Sequence, residues 1–311
     1  MRLRDVVEGY INYKRSLGMY FVSDAAVLRS FCRSIGDIPL EAVSPEPVRA
    51  FIAGTGPVTT RWGLKFHILR SFYRYALERS FVSTSPLPLS VPKLPPPLTP
   101  YIYSVDELNR LVAATATLQP VLRSLTLRSL LLLLYGTGMR IGEALSLRLQ
   151  DVDLAERLLT VHDTKFFKTR FVPIGPRLTE VMSDYLSRRR QLPMASGEAS
   201  SFFATHKGIH VDYKVVNKLF GQLRTVAEIR RESTARYQPR IHDIRHTAAV
   251  HRVVAWYRSG ADVQRLLPQL ATYLGHKDIR STQRYLSMTP ELLNEASLRF
   301  EHYARPEVHH D

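Results

Sequence analysis

Leu274-Gly275-His276, followed nine residues after that histidine by Tyr285 within Thr282-Gln283-Arg284-Tyr285-Leu286, is the most telling stretch of this chain. Two earlier stretches complement it: Thr137-Gly138-Met139-Arg140-Ile141-Gly142-Glu143 and His242-Asp243-Ile244-Arg245-His246. Arginine forks can clamp two phosphate oxygens, imidazoles can carry protons, and a phenol can act as a nucleophile. Together these are the side chains needed to attack a phosphodiester without a metal. Each has a plainer reading when taken alone. Arg140 and Glu143 could be a surface helical pair, and Tyr285 is one of 15 tyrosines.

Around those stretches the chain reads as mainly α with a small antiparallel β-sheet. In residues 1–85, apolar positions recur at helical spacing over Leu3–Tyr13, Asp24–Ile35 and Thr59–Arg79. In the last of these, Trp62, Phe66, Leu69, Tyr73 and Ala76 form a packing stripe. Arg61, Lys65, Arg70 and Arg74 stand between them as a basic face suited to a phosphate backbone. Seven prolines between Ser85 and Pro100 predict an extended linker over residues 86–100. A second domain over residues 101–290 opens at Ser104, with Asp106 and Glu107 placed for a first helical turn.

Within that domain an apolar helix over Leu118–Tyr135 is expected to break at Gly136-Thr137-Gly138. A further helix then starts near Arg140 or Ile141, at a turn that favours an anion. Leu158–His162 and Arg170–Ile174 alternate as strands of a hairpin, with Lys165, Phe166, Phe167 and Lys168 near its tip. Helices are predicted over Arg177–Arg190, Val211–Ala227, Asp243–Tyr257 and Ala261–Tyr273, and a short one near Ser281. The tail, 291–311, carries Leu292, Leu293, Ala296 and Phe300 as an apolar stripe.

Charge narrows the partner. Forty-three Lys+Arg against 28 Asp+Glu give a net charge of +15, spread over both domains, which suits a polyanion. One cysteine, Cys32, excludes an intramolecular disulfide and a multi-cysteine zinc site. His242 and His246 are spaced i,i+4 but lack the glutamate of a zincin motif, so no metal is expected. The first residues lack an apolar signal segment and no run is long enough to span a bilayer. A cytoplasmic, nucleoid-associated protein with no membrane partner is expected.

Taken together, these motifs resemble the tyrosine recombinases of the phage-integrase and Xer type. The resemblance places that family's catalytic positions on Arg140, Lys165, His242, Arg245, His276 and Tyr285, with Glu143 in support. Lys165 is assigned because Lys165-x-x-Lys168-x-Arg170-x-Val172-Pro173 matches the family's hairpin run. The resemblance implies a C-shaped clamp made of an N-terminal helical core-binding domain and a catalytic domain. It implies double-stranded DNA with paired core sites as substrate, and a homotetramer acting alone or with sister recombinases. It also implies a 3′-phosphotyrosyl intermediate formed without cofactors, and the tail helix as a protomer-exchange element. Lys168 and Arg170 are expected to contact DNA beside the four basic residues of the first domain. The style of the C-terminal segment points to an integrase or transposase of a mobile element. Two other readings share features with this one: a type IB-like topoisomerase, and a non-cleaving DNA-binding regulator.

Overall fold

The computed structural model describes residues 1–96, 98–164, 168–232, 235, 237–275, 280–283, 294 and 297; the side chains of 163, 164, 168, 280 and 281 are not described. Two compact units follow one another along the chain, Met1–Leu98 and Thr99–Asp311.

The first unit holds α1 (Leu3–Ser16), α2 (Val22–Ile35), α3 (Pro45–Ala53) and α4 (Thr60–Glu78). Its core is built from Leu3, Tyr10 and Ile11 of α1, Leu28 and Phe31 of α2, and Phe66, Leu69, Phe72 and Tyr73 of α4. The expected stripe on α4 is buried throughout. Helix α3 is not apparent from the sequence because two prolines within three residues look like a break. Pro45 in fact occupies the first helical position, where its missing N–H costs nothing. Part of the proline-rich segment is not free: Leu87 and Leu94 pack on this core. Leu94 seats against Gly63, where a Cβ would lie 2.7 Å from its Cδ1.

The second unit contains α5 (Val105–Ala114), α6 (Val121–Thr137), α7 (Ile141–Ser146), β1 (Val152–Asp153), β2 (Leu158–Thr164), β3 (Lys168–Pro173), α8 (Pro176–Arg189), α9 (Tyr213–Val226), α10 (Asp243–Arg258), α11 (Val263–Leu274) and α12 (Arg280–Gln283). Ser104 and Glu107 form a reciprocal capping box on α5, at 3.1 and 2.8 Å. Leu130, Leu133 and Leu134 of α6 lie in the main core, with Leu159 and Val172 of the sheet and Phe220 and Leu223 of α9. A second cluster joins α10 to α11 through Val250, Val253, Leu267 and Leu270.

The sheet is antiparallel in the order β1-β2-β3, with Leu159 opposite Val172 and Val161 opposite Arg170; the register shifts between Val161 and Thr164. Strand β1 has only two residues, too few for alternation to reveal it. Two boundaries differ from expectation. Helix α6 begins at Val121, with Pro120 at its N-cap, and runs through Gly136 to end at Gly138. Only Gly138 leaves the helix, in the left-handed region at φ +63°. No helix among the described residues is long and apolar enough to cross a membrane.

Candidate active site

Helix α6 delivers the chain to a turn that the left-handed Gly138 makes possible. A Cβ there would lie 2.7 Å from Leu274 Cδ2, so the glycine also admits the end of α11. One residue past Met139 stands Arg140, the extended N-cap of α7. Glu143, one turn on, accepts from the Arg140 backbone N–H at 2.9 Å and from its Nη1 at 2.7 Å. The Arg140 side chain remains 43% exposed. Its Nη2 donates to the Gly275 carbonyl at 3.3 Å.

From α10, Arg245 enters the same place from beneath. It is 3% exposed. Its Nη1 donates to the Gly138 carbonyl at 2.7 Å, and its Nη2 to the Leu274 carbonyl at 2.8 Å. Arg140 and Arg245 therefore converge on consecutive carbonyls at the C-terminal end of α11, although they lie 105 residues apart (245 minus 140). His242, at the N-cap of α10, is half-buried, and its ring stands 5.2 Å from that of His246 at 86°. Burial lowers its pKa, and the guanidinium of Arg245 pushes the same way; Arg240 and Arg140 add to this, while Asp243 opposes it. The imidazole is therefore neutral at neutral pH and can accept a proton.

The start of α10 is anchored by residues that the sequence does not single out. Buried Asp243 accepts from Arg240 Nη2 at 2.8 Å and from the Arg240 backbone at 2.9 Å. Thr247 Oγ1 donates to the Asp243 carbonyl at 2.9 Å and accepts from the Tyr103 N–H at 3.0 Å. The Tyr103 hydroxyl donates to the Arg240 carbonyl at 2.9 Å. The i,i+3 spacing of Arg240 and Asp243 is visible in the sequence, whereas the role of Tyr103 depends on an approach across more than a hundred residues.

Two of the residues expected to contact DNA are engaged within the protein. Arg170 is not a surface cation: its side chain is 13% exposed, and its Nη1 and Nη2 donate to Glu143 at 3.1 and 2.7 Å. Strand alternation places it on the face of buried Val172, while Phe171 points outward and is 63% exposed. Lys65 lies over the Phe51 ring at 4.4 Å and donates to the Phe51 carbonyl, and burial lowers its pKa. Arg61, Arg70 and Arg74 are exposed, but they do not share one face with Lys65. At about 3.6 residues per turn, Arg61 and Lys65 flank the packed stripe on one side, and Arg70 and Arg74 on the other. Lys165, His276 and Tyr285 lie outside the described residues, as do Phe166, Phe167, the side chain of Lys168, and the tail apart from Asn294 and Ser297.

Glu143 is the electrostatic hub. Burial alone would raise its pKa. The Arg170 hydrogen bonds, the Arg140 backbone N–H and the two guanidinium charges outweigh that and hold it at about 2.

The Phage integrase family model matches residues 103–291. A Sinorhizobium fredii protein named "Putative integrase/recombinase y4rB" is 33% identical over 304 residues, covering 96% of each chain. Tyrosine recombinase XerC of Oceanobacillus iheyensis is 29% identical over 90% of this chain and 88% of its own. Among solved structures, the Tn1549 transposon integrase in complex with transposon right end DNA has a TM-score of 0.71 at 16% identity, over 98% of this chain and 100% of that one. A lambda integrase tetramer bound to a Holliday junction has a TM-score of 0.64 at 17% identity, over 92% and 77%. At those identities the structural likeness speaks for the fold alone. With the family match spanning more than half of the sequence, and a relative aligned over nearly all of it, the chain belongs to the phage integrase family of tyrosine recombinases.

Proposed function

We propose that this protein is a site-specific recombinase of a mobile element, cleaving and rejoining double-stranded DNA at paired core sites. The observation that carries the reading is the convergence of Arg140 and Arg245 on the Leu274 and Gly275 carbonyls, immediately ahead of His276. In this proposal the two guanidinium groups stabilise charge on the non-bridging oxygens of the scissile phosphate. The Tyr285 hydroxyl oxygen bonds to phosphorus as the bond to the 5′ oxygen breaks. Neutral His242 takes the phenol proton, Lys165 protonates the departing 5′ oxygen, and His276 bonds a phosphate oxygen. The phosphotyrosyl link keeps the phosphodiester energy, and a 5′-hydroxyl from another strand reverses the step. Neither a metal nor ATP enters this scheme.

The assembly proposed is a homotetramer on two DNA segments, acting alone or with sister recombinases on cytoplasmic, nucleoid-associated DNA. A nicked suicide substrate tests the chemistry. The intact protein should form a covalent adduct on a denaturing gel, and Tyr285→Phe should form none. An adduct that survives in Tyr285→Phe overturns Tyr285 as the nucleophile; absence of an adduct from the intact protein overturns the enzyme reading and favours a DNA-binding regulator. Products that change only linking number favour a type IB-like topoisomerase.

A further inference from the structure

Arg170 sits where three elements meet. It comes from β3, its two terminal nitrogens grip the carboxylate of Glu143 on α7, and its guanidinium lies under Gly275 at the end of α11. A Cβ on Gly275 would lie 2.8 Å from Arg170 Nη1 and 3.0 Å from its Cζ, and Gly275 is in the left-handed region at φ +69°. The backbone that leads into His276 therefore rests directly on this guanidinium. The Arg170 Nε is buried and finds no acceptor among the described residues.

We infer that Arg170 is a positioning residue for the cleavage step: through Glu143 it sets the place of Arg140 and the net charge of the group around it, and through Gly275 it sets the approach to His276. Arg140, Glu143 and Arg170 together carry one net positive charge, which favours a phosphate beside the exposed edge of Arg140. Without Arg170, the remaining Arg140–Glu143 pair is neutral, and the carboxylate draws its only counterion inward. Fork geometry matters as well, since two parallel bonds fix the orientation of the carboxylate and one ammonium group does not. Arg170 does not touch the DNA in this scheme.

This inference rests on the recombinase reading, and the test separates the two. The full chain is assayed on the nicked substrate at saturating DNA, with affinity measured separately by titration. Arg170→Met and Arg170→Lys should each slow single-turnover adduct formation, by roughly 100-fold for Arg170→Met, as expected when a catalytic group is misplaced. Affinity and its salt dependence should stay within about threefold of the intact protein, because no phosphate partner is removed. In a Glu143→Gln background, Arg170→Met should add little further loss, since the two act as one unit. Melting temperatures identify any variant that has failed to fold, and Glu143→Gln, which keeps the side-chain shape, then carries the test. Weakened DNA binding with a normal rate at saturation would make Arg170 a DNA-binding residue. Additive losses in the double variant would also overturn the positioning role. Absence of an adduct from the intact protein would count against the recombinase reading itself.

Discussion

Holding His242 neutral is the work of its surroundings. Burial and three nearby guanidinium groups oppose a second proton on the ring, and the opposing charge, Asp243, is already engaged by Arg240. The native state therefore binds fewer protons at this site than the unfolded chain does. Its contribution is neutral above the ordinary histidine value of 6.5 and becomes destabilising as pH falls below it. Single-turnover cleavage should accordingly stay level through pH 6.5 and decline only at lower pH, measured between pH 5 and 8. A limb centred at or above 6.5 would contradict a neutral His242 acting as proton acceptor. At this scale the sequence is informative about residue type and silent about state. His242 and Arg245 are legible from their i,i+3 spacing. The side to which Arg170 turns depends on a strand register, and the engagement of Lys65 depends on a ring from another helix.

Elements impose their own requirement at the two ends of the site. Gly138 terminates α6 in the left-handed region, and a Cβ there would meet Leu274, whose carbonyl holds Arg245. Gly138→Ala should lower stability by at least about 1 kcal/mol from backbone strain alone, and should slow cleavage by shifting the Arg245 anchor. Gly142, inside α7, has open space around it: a methyl added there would meet nothing within 4 Å. Gly142→Ala should therefore raise stability by about 0.5–1 kcal/mol. Thermal melts of both variants check the pair, and equal effects would mean that neither glycine is held by its local geometry. The sequence places this turn correctly but spreads the break over three residues. Gly136 remains helical, and its lack of a side chain admits Leu178, whose Cδ2 would lie 2.9 Å from a Cβ there, an approach that periodicity along the chain does not reveal.

At the scale of the whole molecule, charge is the dominant property. A net +15 predicts binding to DNA that weakens steeply with salt. Alanine at Arg61, Arg70 or Arg74, all exposed, should reduce the slope of log affinity against log salt by about 0.9 for each phosphate no longer neutralised. Lys65→Ala should leave that slope unchanged, because its ammonium is already engaged with Phe51. Titrations at several salt concentrations measure all four. A slope unchanged in every variant would remove α4 from the DNA interface.

The order and spacing of Arg140, Lys165, His242, Arg245, His276 and Tyr285 are sufficient to indicate the family, because chemistry restricts residue type and spacing along a helix restricts placement. Mainly helical elements and one small hairpin are legible for the same reason: burying one face imposes a period on the sequence. Periodicity carries no information about partners far along the chain. Tertiary structure alone decides that Arg140 and Arg245 share the end of α11, that Tyr103 secures the start of α10, and that Arg170 commits its charge to Glu143 rather than to solvent. Each of these depends on which buried carbonyl or carboxylate is within hydrogen-bonding reach, and that is settled only when the core has packed.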